Sequence, residues 1–238
     1  IYYGGYAQFA KVNGDFLVQK PKELSSKHSM ILGTAGLTAL QCAFVAKLTR
    51  EELLLGEKVQ DVIVTGASGG VGSIAVMILN KLGCNVTAVT SKDSNHDYLR
   101  SIGAKNFINT SELTKDPRPL DKGLWDGAVD TVGGQVLANV LAQTKESGIV
   151  ASCGNAADIK LNTTVMPFII RGVKLWGINS VNISTIRRNF LWNEASKLID
   201  FELLNKSIKE ISLEEVLNIY PKMLKGETSG RYIINVNN

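Results

Sequence analysis

Three glycines, Gly69, Gly70 and Gly72, have the residue type and spacing that most strongly indicate a ligand-binding site in this sequence. They follow the apolar run Val62-Ile63-Val64. A helical pattern begins directly after them. Glycine lets a ligand come close to the backbone because no Cβ stands in the way. The first N–H groups of a helix lack intrahelical partners and carry partial positive charge, so they stabilise an anion. The spacing therefore predicts a diphosphate site between a strand and a helix.

This turn fits the fingerprint of dinucleotide sites with one departure. The pattern is Ala67-x-Gly69-x-x-Gly72, with alanine in place of the first glycine. It predicts that Gly69 faces the pyrophosphate and that Gly72 lets the helix pack closely on the strand. A glycine turn with a purely structural role is the alternative interpretation.

The end of the next strand predicts which dinucleotide would bind. An NAD site usually has Asp or Glu there, on the ribose hydroxyls. This chain has Thr90, Ser91 and Lys92, and no acid before Asp93. A carboxylate would repel a 2′-phosphate, whereas two hydroxyls and an ammonium group would hold one through charge-assisted hydrogen bonds. We therefore expect NADP(H) rather than NAD(H); a simple polar loop is the alternative.

A strand, a helix and a second strand must position these residues. Apolar residues recur on one helical face at positions 71, 74, 75, 78, 79 and 82, and Gly83 stands where the helix should end. Further predicted strands, at 106–108, 126–134, 149–154 and 173–178, alternate with helices at 97–102, 136–144 and 186–199. This alternation is typical of a doubly wound α/β fold with a parallel sheet.

Some segments lie outside that alternation. Residues 2–18 have strand-like sequence with a possible hairpin, and the pieces near 208 and 231–236 are predicted to pair with them. Residues 51–60 are predicted as a charged connector, and Ser94-Asn95-His96-Asp97 as a capping box. A second amphipathic helix is expected at 213–224.

Composition limits the possible functions. The chain has 238 residues, is 45% hydrophobic, and can bury a large core. No run looks apolar enough to span a bilayer, and the net charge of +4 is too spread out to indicate a nucleic-acid partner. Cys42, Cys84 and Cys153 form no CxxC, and neither His28 nor His96 lies at metal-ligand spacing from them. We expect a cytoplasmic protein with reduced thiols and no zinc.

Thr65 to Gly72 also fits the TGxxxGxG pattern of short-chain dehydrogenases. Those enzymes need a Tyr-x-x-x-Lys, whose lysine lowers the tyrosine pKa for proton transfer. Tyr98 is followed at that spacing by Ile102, and Tyr220 by Leu224. The short-chain hypothesis fails because no tyrosine has the required lysine.

Five stretches together resemble the zinc-free medium-chain reductases, and more narrowly the YhdH/YhfP group of quinone oxidoreductase-like proteins, which includes acryloyl-CoA reductase. They are Gly33 to Ala39, Thr65 to Ser73, Asp130 to Gly133, Thr163 to Ile169, and the closing Gly230-Arg231. The resemblance covers essentially all 238 residues.

The resemblance implies a Rossmann domain joined to a GroES-like catalytic domain, usually in a homodimer. It assigns residues 1–28 to a remnant of the GroES-like domain, 29–200 to the NADP-binding Rossmann domain, and 201–238 to a return into the GroES-like domain. Family members begin roughly half a domain earlier, so we expect an N-terminal truncation. The missing part would carry a tyrosine and much of the substrate cleft.

The resemblance also implies cofactor-binding positions. It places the phosphates at Gly69, Gly70, Val71, Gly72, Ser73 and Ile74, the 2′-phosphate at Thr90, Ser91 and Lys92, the nicotinamide end at Asn155, Ile169 and Ser180, and a closing residue at Gly226. Lys92 offers a point charge where family members tend to have arginine. Asn155 departs from the usual apolar residue, so only its backbone is carried over. Ile169 and Ser180 could equally be a core residue and a strand-end hydroxyl.

The implied activity is an NADPH-dependent reduction. Hydride would pass to an activated carbon–carbon double bond, in an enone or an enoyl thioester such as acrylyl-CoA, or to a quinone. A relative that binds NADPH without turnover is the alternative. No side chain qualifies as a catalytic acid, so the catalytic residues stay unassigned.

Overall fold

The computed structural model describes residues 4–47, 59–228 and 230–237. Most of the predicted connector at 51–60 lies outside these residues. The strands are β1 (Asp61–Val64), β2 (Asn85–Thr90), β3 (Ala104–Asn109), β4 (Trp125–Asp130), β5 (Thr144–Ser152), β6 (Lys174–Gly177), β7 (Ile208–Ser212) and β8 (Arg231–Asn235). The helices are α1 (Ser26–Lys47), α2 (Gly70–Lys81), α3 (His96–Ser101), α4 (Gly134–Ala142), α5 (Met166–Arg171), α6 (Thr185–Leu198), α7 (Phe201–Asn205) and α8 (Val216–Leu224).

Six strands form one parallel sheet in the order β3-β2-β1-β4-β5-β6. The chain winds outward from β1 to β3, then crosses back and winds the other way from β4 to β6. The predicted doubly wound fold is confirmed. Its order reverses between β1 and β4, which is where open α/β sheets bind ligands.

The sheet is buried on both faces. Along β1, Val62 and Val64 pack into the core formed with α1, α2 and α6, whereas Ile63 packs into the core formed with α4. This two-sided burial explains why the strands are continuous apolar runs rather than alternating ones.

Helix α1 contradicts the expectation that no run could span a bilayer. Over Ser26–Lys47 it is long and apolar enough by length and composition, but 67% of its most apolar window is buried inside the molecule. It packs on α2, β4 and β5. The helical path breaks at Gly33, with φ 46° and ψ −146°, and then resumes.

The two C-terminal strands pair differently from the prediction. Strands β7 and β8 form a parallel pair with each other. Within residues 4–25 the structure has a 3-10 turn at Gly14–Phe16 and no strand, so the proposed hairpin is wrong for the described part of this segment. The Asn13 side chain accepts a hydrogen bond from the Asp15 N–H, which closes a turn instead.

The predicted capping box before α3 is also wrong. Ser94 lies within a 3-10 turn, Asp93–Asn95, and α3 begins at His96 after Asn95, whose side chain makes no capping bond. A capping box does form further on, where Asn109 and Glu112 close a 3-10 turn at Thr110–Leu113.

Candidate functional site

The turn between β1 and α2 is held by backbone bonds to both neighbouring strands. The Thr65 N–H donates to Val129 O of β4 at 2.9 Å, and the Ala67 N–H donates to Val89 O of β2 at 3.0 Å. A Cβ on Gly72 would lie 2.3 Å from the Gly66 carbonyl oxygen. Gly72 therefore allows the helix to approach the turn, as its position in the fingerprint predicts.

Helix α2 begins with donors that its own backbone does not use. Gly69 is the N-cap residue, and the N–H groups of Gly70, Val71 and Gly72 precede the first intrahelical bond. That bond runs from the Ser73 N–H to Gly69 O at 3.0 Å. The side chains of Ser73 and Ile74 are fully buried. Of the six predicted phosphate-binding positions, the structure presents Gly69 to Gly72 at the turn and directs the other two side chains into the core.

A buried carboxylate connects the ends of three strands. Asp130 is fully buried and accepts hydrogen bonds from the Thr65 hydroxyl at 2.7 Å, the Gly133 N–H at 3.0 Å and the Ser152 hydroxyl at 3.4 Å. Burial raises the pKa of Asp130, and these hydrogen bonds partly oppose that shift. Asp130 therefore positions the ends of β1, β4 and β5 and is not accessible to a ligand.

Replacing Asp130 with Asn should lower the free energy of unfolding by about 2 kcal/mol, because the amide NH2 would face donors instead of accepting from them. Burial raises the folded-state pKa above the unfolded value, so protonation of Asp130 favours the folded state. The stability that protonated Asp130 contributes is complete below the unfolded pKa and is lost as pH rises through the folded pKa. In urea denaturation, the free energy of unfolding of Asp130→Asn should therefore fall further below that of the wild type near pH ~4 than near pH ~7. Asp97→Asn, whose side chain is 99% exposed, is the matched control; equal effects of the two variants would contradict the assigned role.

The predicted 2′-phosphate residues lie at the end of β2. Thr90 is buried, whereas Ser91 and Lys92 are exposed. The Lys92 ammonium donates to Gly226 O at 3.1 Å. The structure thus brings together two predicted cofactor residues that are far apart in the sequence.

The C-terminal segment also contacts the glycine turn. The Gly230 N–H donates to Ser68 O at 3.3 Å. Next to it, the Arg231 guanidinium lies over the start of α2, where a Cβ on Gly70 would be 2.9 Å from Nη1. Sequence reasoning gave no role to Arg231, because only the fold brings it to this turn.

The ends of β5 and β6 border an open cleft of about 520 Å³, lined by residues 152–155 and 177–179. Asn155 lies in this lining; its assignment to the nicotinamide end stays a prediction. Ile169 lies in α5 with an exposed side chain, and Ser180 follows the lining residues of β6. Neither Ile169 nor Ser180 belongs to this lining.

Comparison with known proteins agrees with this geometry. The family model for zinc-binding dehydrogenases matches residues 70–200. A probable acrylyl-CoA reductase, AcuI, of Escherichia coli is 42% identical over 99% of this chain and 71% of its own length. The chain belongs to the medium-chain dehydrogenase/reductase family.

Further members of this family are similar over nearly the whole chain. The putative quinone oxidoreductase YhfP of Bacillus subtilis is 40% identical over 98% of this chain and 70% of its own length. The crystal structure of E. coli YhdH with bound NADPH has a TM-score of 0.92 at 42% identity, covering 99% of this chain and 72% of that one. The structure of B. subtilis YhfP with bound NAD has a TM-score of 0.86 at 38% identity, covering 95% and 68%.

The described residues of this medium-chain reductase do not fit a zinc site. Across 4–47, 59–228 and 230–237, no group of three or more His, Cys, Asp or Glu could hold a metal ion. Both histidines stack on aromatic rings, His28 on Phe201 and His96 on Phe107, each with ring centroids 4.2 Å apart. These contacts give both residues a packing role.

Two cysteines lie next to each other at the cleft, Cys153 in its lining and Cys42 buried behind it. The Cys42 thiol donates a hydrogen bond toward Cys153, which raises the pKa of Cys42 and lowers that of Cys153; burial raises the pKa of both. Cys42 is fully buried, and Cys153 lines the cleft beside Asn155. Cys153 is thus the more acidic and more accessible thiol of the pair.

Proposed function

We propose that this protein is an NADPH-dependent reductase that delivers hydride to an activated carbon–carbon double bond or to a quinone. The observation that carries the proposal is the row of free N–H groups at Gly70 to Gly72, with Lys92 at the end of the adjacent strand. Such a helix start holds a pyrophosphate, and the ammonium group offers a partner for a phosphate on the neighbouring ribose.

The preference for NADPH over NADH rests on Lys92. After β2 the structure exposes Ser91 and Lys92, whereas Thr90 is buried, and the first acidic residue along the chain is Asp93. The bound NADPH in E. coli YhdH supports this choice. B. subtilis YhfP has bound NAD, so the preference of this chain must be measured with both cofactors.

The residues of this chain would bind and orient the cofactor. The N–H groups of Gly70 to Gly72 would hold the pyrophosphate, Lys92 the 2′-phosphate, and the backbone at Asn155 the nicotinamide end. When bound, NADPH supplies the hydride. Hydrogen-bond donors would polarise the acceptor carbonyl in this proposal.

The acceptor is tested by stopped-flow measurement of NADPH absorbance with acrylyl-CoA and with quinones. Acceptor-dependent loss of absorbance is expected with one of the two classes, as the names of AcuI and YhfP suggest. Tight NADPH binding without oxidation by either class would favour the alternative, a nucleotide-binding relative without turnover.

We also propose that the protein is cytoplasmic, because the three free thiols of the chain suit a reducing compartment.

We further propose that the protein is a homodimer. Strand β6 pairs with β5 on one side, and all four of its residues are exposed, including Trp176 at 47% and Leu175 at 37%. An exposed apolar edge strand is a template for pairing with another strand, which favours a second copy joining at β6.

Trp176→Lys should shift the protein from dimer to monomer, because it places a charge on the proposed interface. Analytical ultracentrifugation measures the change. Ile186→Lys, at an 84% exposed position of α6, is the control and should leave the mass unchanged. A monomeric wild-type protein would contradict the dimer proposal.

The domain division is likewise part of the proposal. Residues 29–200 would form the cofactor domain, and residues 1–28 and 201–238 would belong to the second, GroES-like domain. The separate β7–β8 sheet supports this boundary because it pairs with no strand of the six-stranded sheet in the described structure.

A further inference from the structure

Cys42 and Cys153 are neighbours in space, although they belong to different elements of the fold. Cys42 lies in α1, and Cys153 directly follows β5. Helix α1 packs against β5, and Cys153 packs on the core to which Cys42 belongs. The Cys42 thiol donates a hydrogen bond to the Cys153 sulfur, so the two sulfurs are in contact. A disulfide would require them to approach from this contact to about 2 Å.

The two thiols differ in their access to solvent. Cys42 is fully buried, whereas Cys153 is half-buried and lines the open cleft of about 520 Å³ at the ends of β5 and β6. A small oxidant in this cleft can therefore reach the Cys153 sulfur but not the Cys42 sulfur.

Cys153 is also the more nucleophilic thiol of the pair. The hydrogen bond from Cys42 lowers the pKa of Cys153, and burial and the Asp130 carboxylate oppose this shift only in part. The same hydrogen bond and burial raise the pKa of Cys42. The thiolate is the form that reacts with peroxides. An accessible cysteine of low pKa beside a second cysteine is the usual arrangement of thiols that oxidise reversibly.

We propose that Cys153 is a site of oxidation by hydroperoxides and that Cys42 converts the oxidised product into an intramolecular disulfide. In the first step the Cys153 thiolate attacks one oxygen of a hydroperoxide, ROOH. The O–O bond breaks, Cys153 becomes a sulfenic acid, and ROH leaves with the proton of the thiol. In the second step the Cys42 sulfur attacks the sulfenic sulfur, the S–S bond forms, and hydroxide leaves as water with the Cys42 proton. The hydroperoxide gains the two electrons that the thiols lose.

The third cysteine, Cys84, is too far away to join this pair. It directly precedes β2, at the amino end of the parallel sheet, whereas Cys153 follows β5 at the carboxyl end. The Cys84 side chain is buried, and burial raises its pKa. We therefore expect Cys84 to stay reduced, which makes it an internal control.

Peptide mapping of the full chain after treatment with hydrogen peroxide tests the proposal. Each cysteine falls in a different tryptic peptide: Cys42 in 28–47, Cys84 in 82–92 and Cys153 in 146–160. Peroxide should link peptides 28–47 and 146–160, while 82–92 keeps a free thiol that reacts with N-ethylmaleimide after denaturation. Absence of this linked pair would overturn the proposal, as would a disulfide that includes 82–92 or one that joins two chains on a non-reducing gel.

Variants of the three cysteines test the order of the two steps. In Cys42→Ser, Cys153 should stop at the sulfenic acid, so dimedone should label peptide 146–160. In Cys153→Ser, peroxide should leave the buried Cys42 reduced, and dimedone labelling of Cys42 would overturn the proposal. Cys84→Ser, the matched buried control, should form the same linked pair as the wild type. If Cys42→Ser fails to fold, Cys42→Ala replaces it, and the mapping of the wild type decides in either case.

This inference does not depend on the proposed function, because the oxidation needs no coenzyme. A protein that forms the disulfide and binds no NADPH would overturn the proposed function alone. A protein that binds NADPH without linking peptides 28–47 and 146–160 under peroxide would overturn the role of the cysteine pair alone.

Discussion

Gly72→Ala is expected to lower the free energy of unfolding by about 3 kcal/mol and to remove measurable NADPH binding. Its Cβ would lie 2.3 Å from Gly66 O and 2.8 Å from Ala67 Cα. Both are backbone atoms of a turn held by bonds to β2 and β4, so neither can move away without breaking those bonds. The gain from alanine's higher helix propensity, about 1 kcal/mol, is smaller than this overlap.

Urea denaturation and NADPH fluorescence titration measure the two effects. Gly14→Ala is the control, because a Cβ there meets no atom within 4 Å and the residue has no positive φ. It should change neither quantity. A Gly72→Ala variant with wild-type stability and NADPH affinity would show that α2 does not start as described.

Lys92→Glu is expected to weaken NADPH binding by about 100-fold and to leave NADH binding unchanged or slightly stronger. The substitution places a carboxylate where the 2′-phosphate would lie. The same carboxylate can accept from the 2′-hydroxyl of NADH, as the acidic residue of NAD sites does.

Parallel titrations with the two cofactors measure this change in specificity. Lys105→Glu makes the same charge change at an exposed position of β3, near the amino end of that strand and therefore at the end of the sheet opposite to Lys92. It should alter neither affinity, apart from a small effect that salt removes. Equal NADPH affinity in Lys92→Glu and wild type would exclude Lys92 as the 2′-phosphate partner.

Local patterns were enough to predict the centre of the fold. The helical periodicity from Val71 to Leu82 and the apolar runs on either side predicted β1, α2 and β2 closely, because burial on both faces of the sheet imposes those patterns. The opening segment was predicted wrongly because its apolar residues alternate like a strand. Phe9 is 91% exposed, and Phe16 lies in a 3-10 turn, so the pattern there does not reflect packing in the described structure.

The site was predictable where one segment builds it. The glycine turn and the polar end of β2 are each continuous in sequence, so residue type and spacing identify them. Arg231 and Asp130 depend on contacts between distant segments: the guanidinium reaches Gly70 through the C-terminal strand, and the carboxylate joins Thr65 to Ser152. No sequence spacing encodes such contacts.

The hydrogen bond from Lys92 to Gly226 has a consequence for how the two pyridine nucleotides differ. An ammonium group has three donors, and the carbonyl of Gly226 uses one of them, so a 2′-phosphate can be added without breaking the existing bond. The phosphorylated coenzyme would then be linked to the last stretch of the polypeptide through a single shared nitrogen, whereas NADH would lack this link. Amide exchange at Gly226 should therefore slow more with the phosphorylated coenzyme than with NADH.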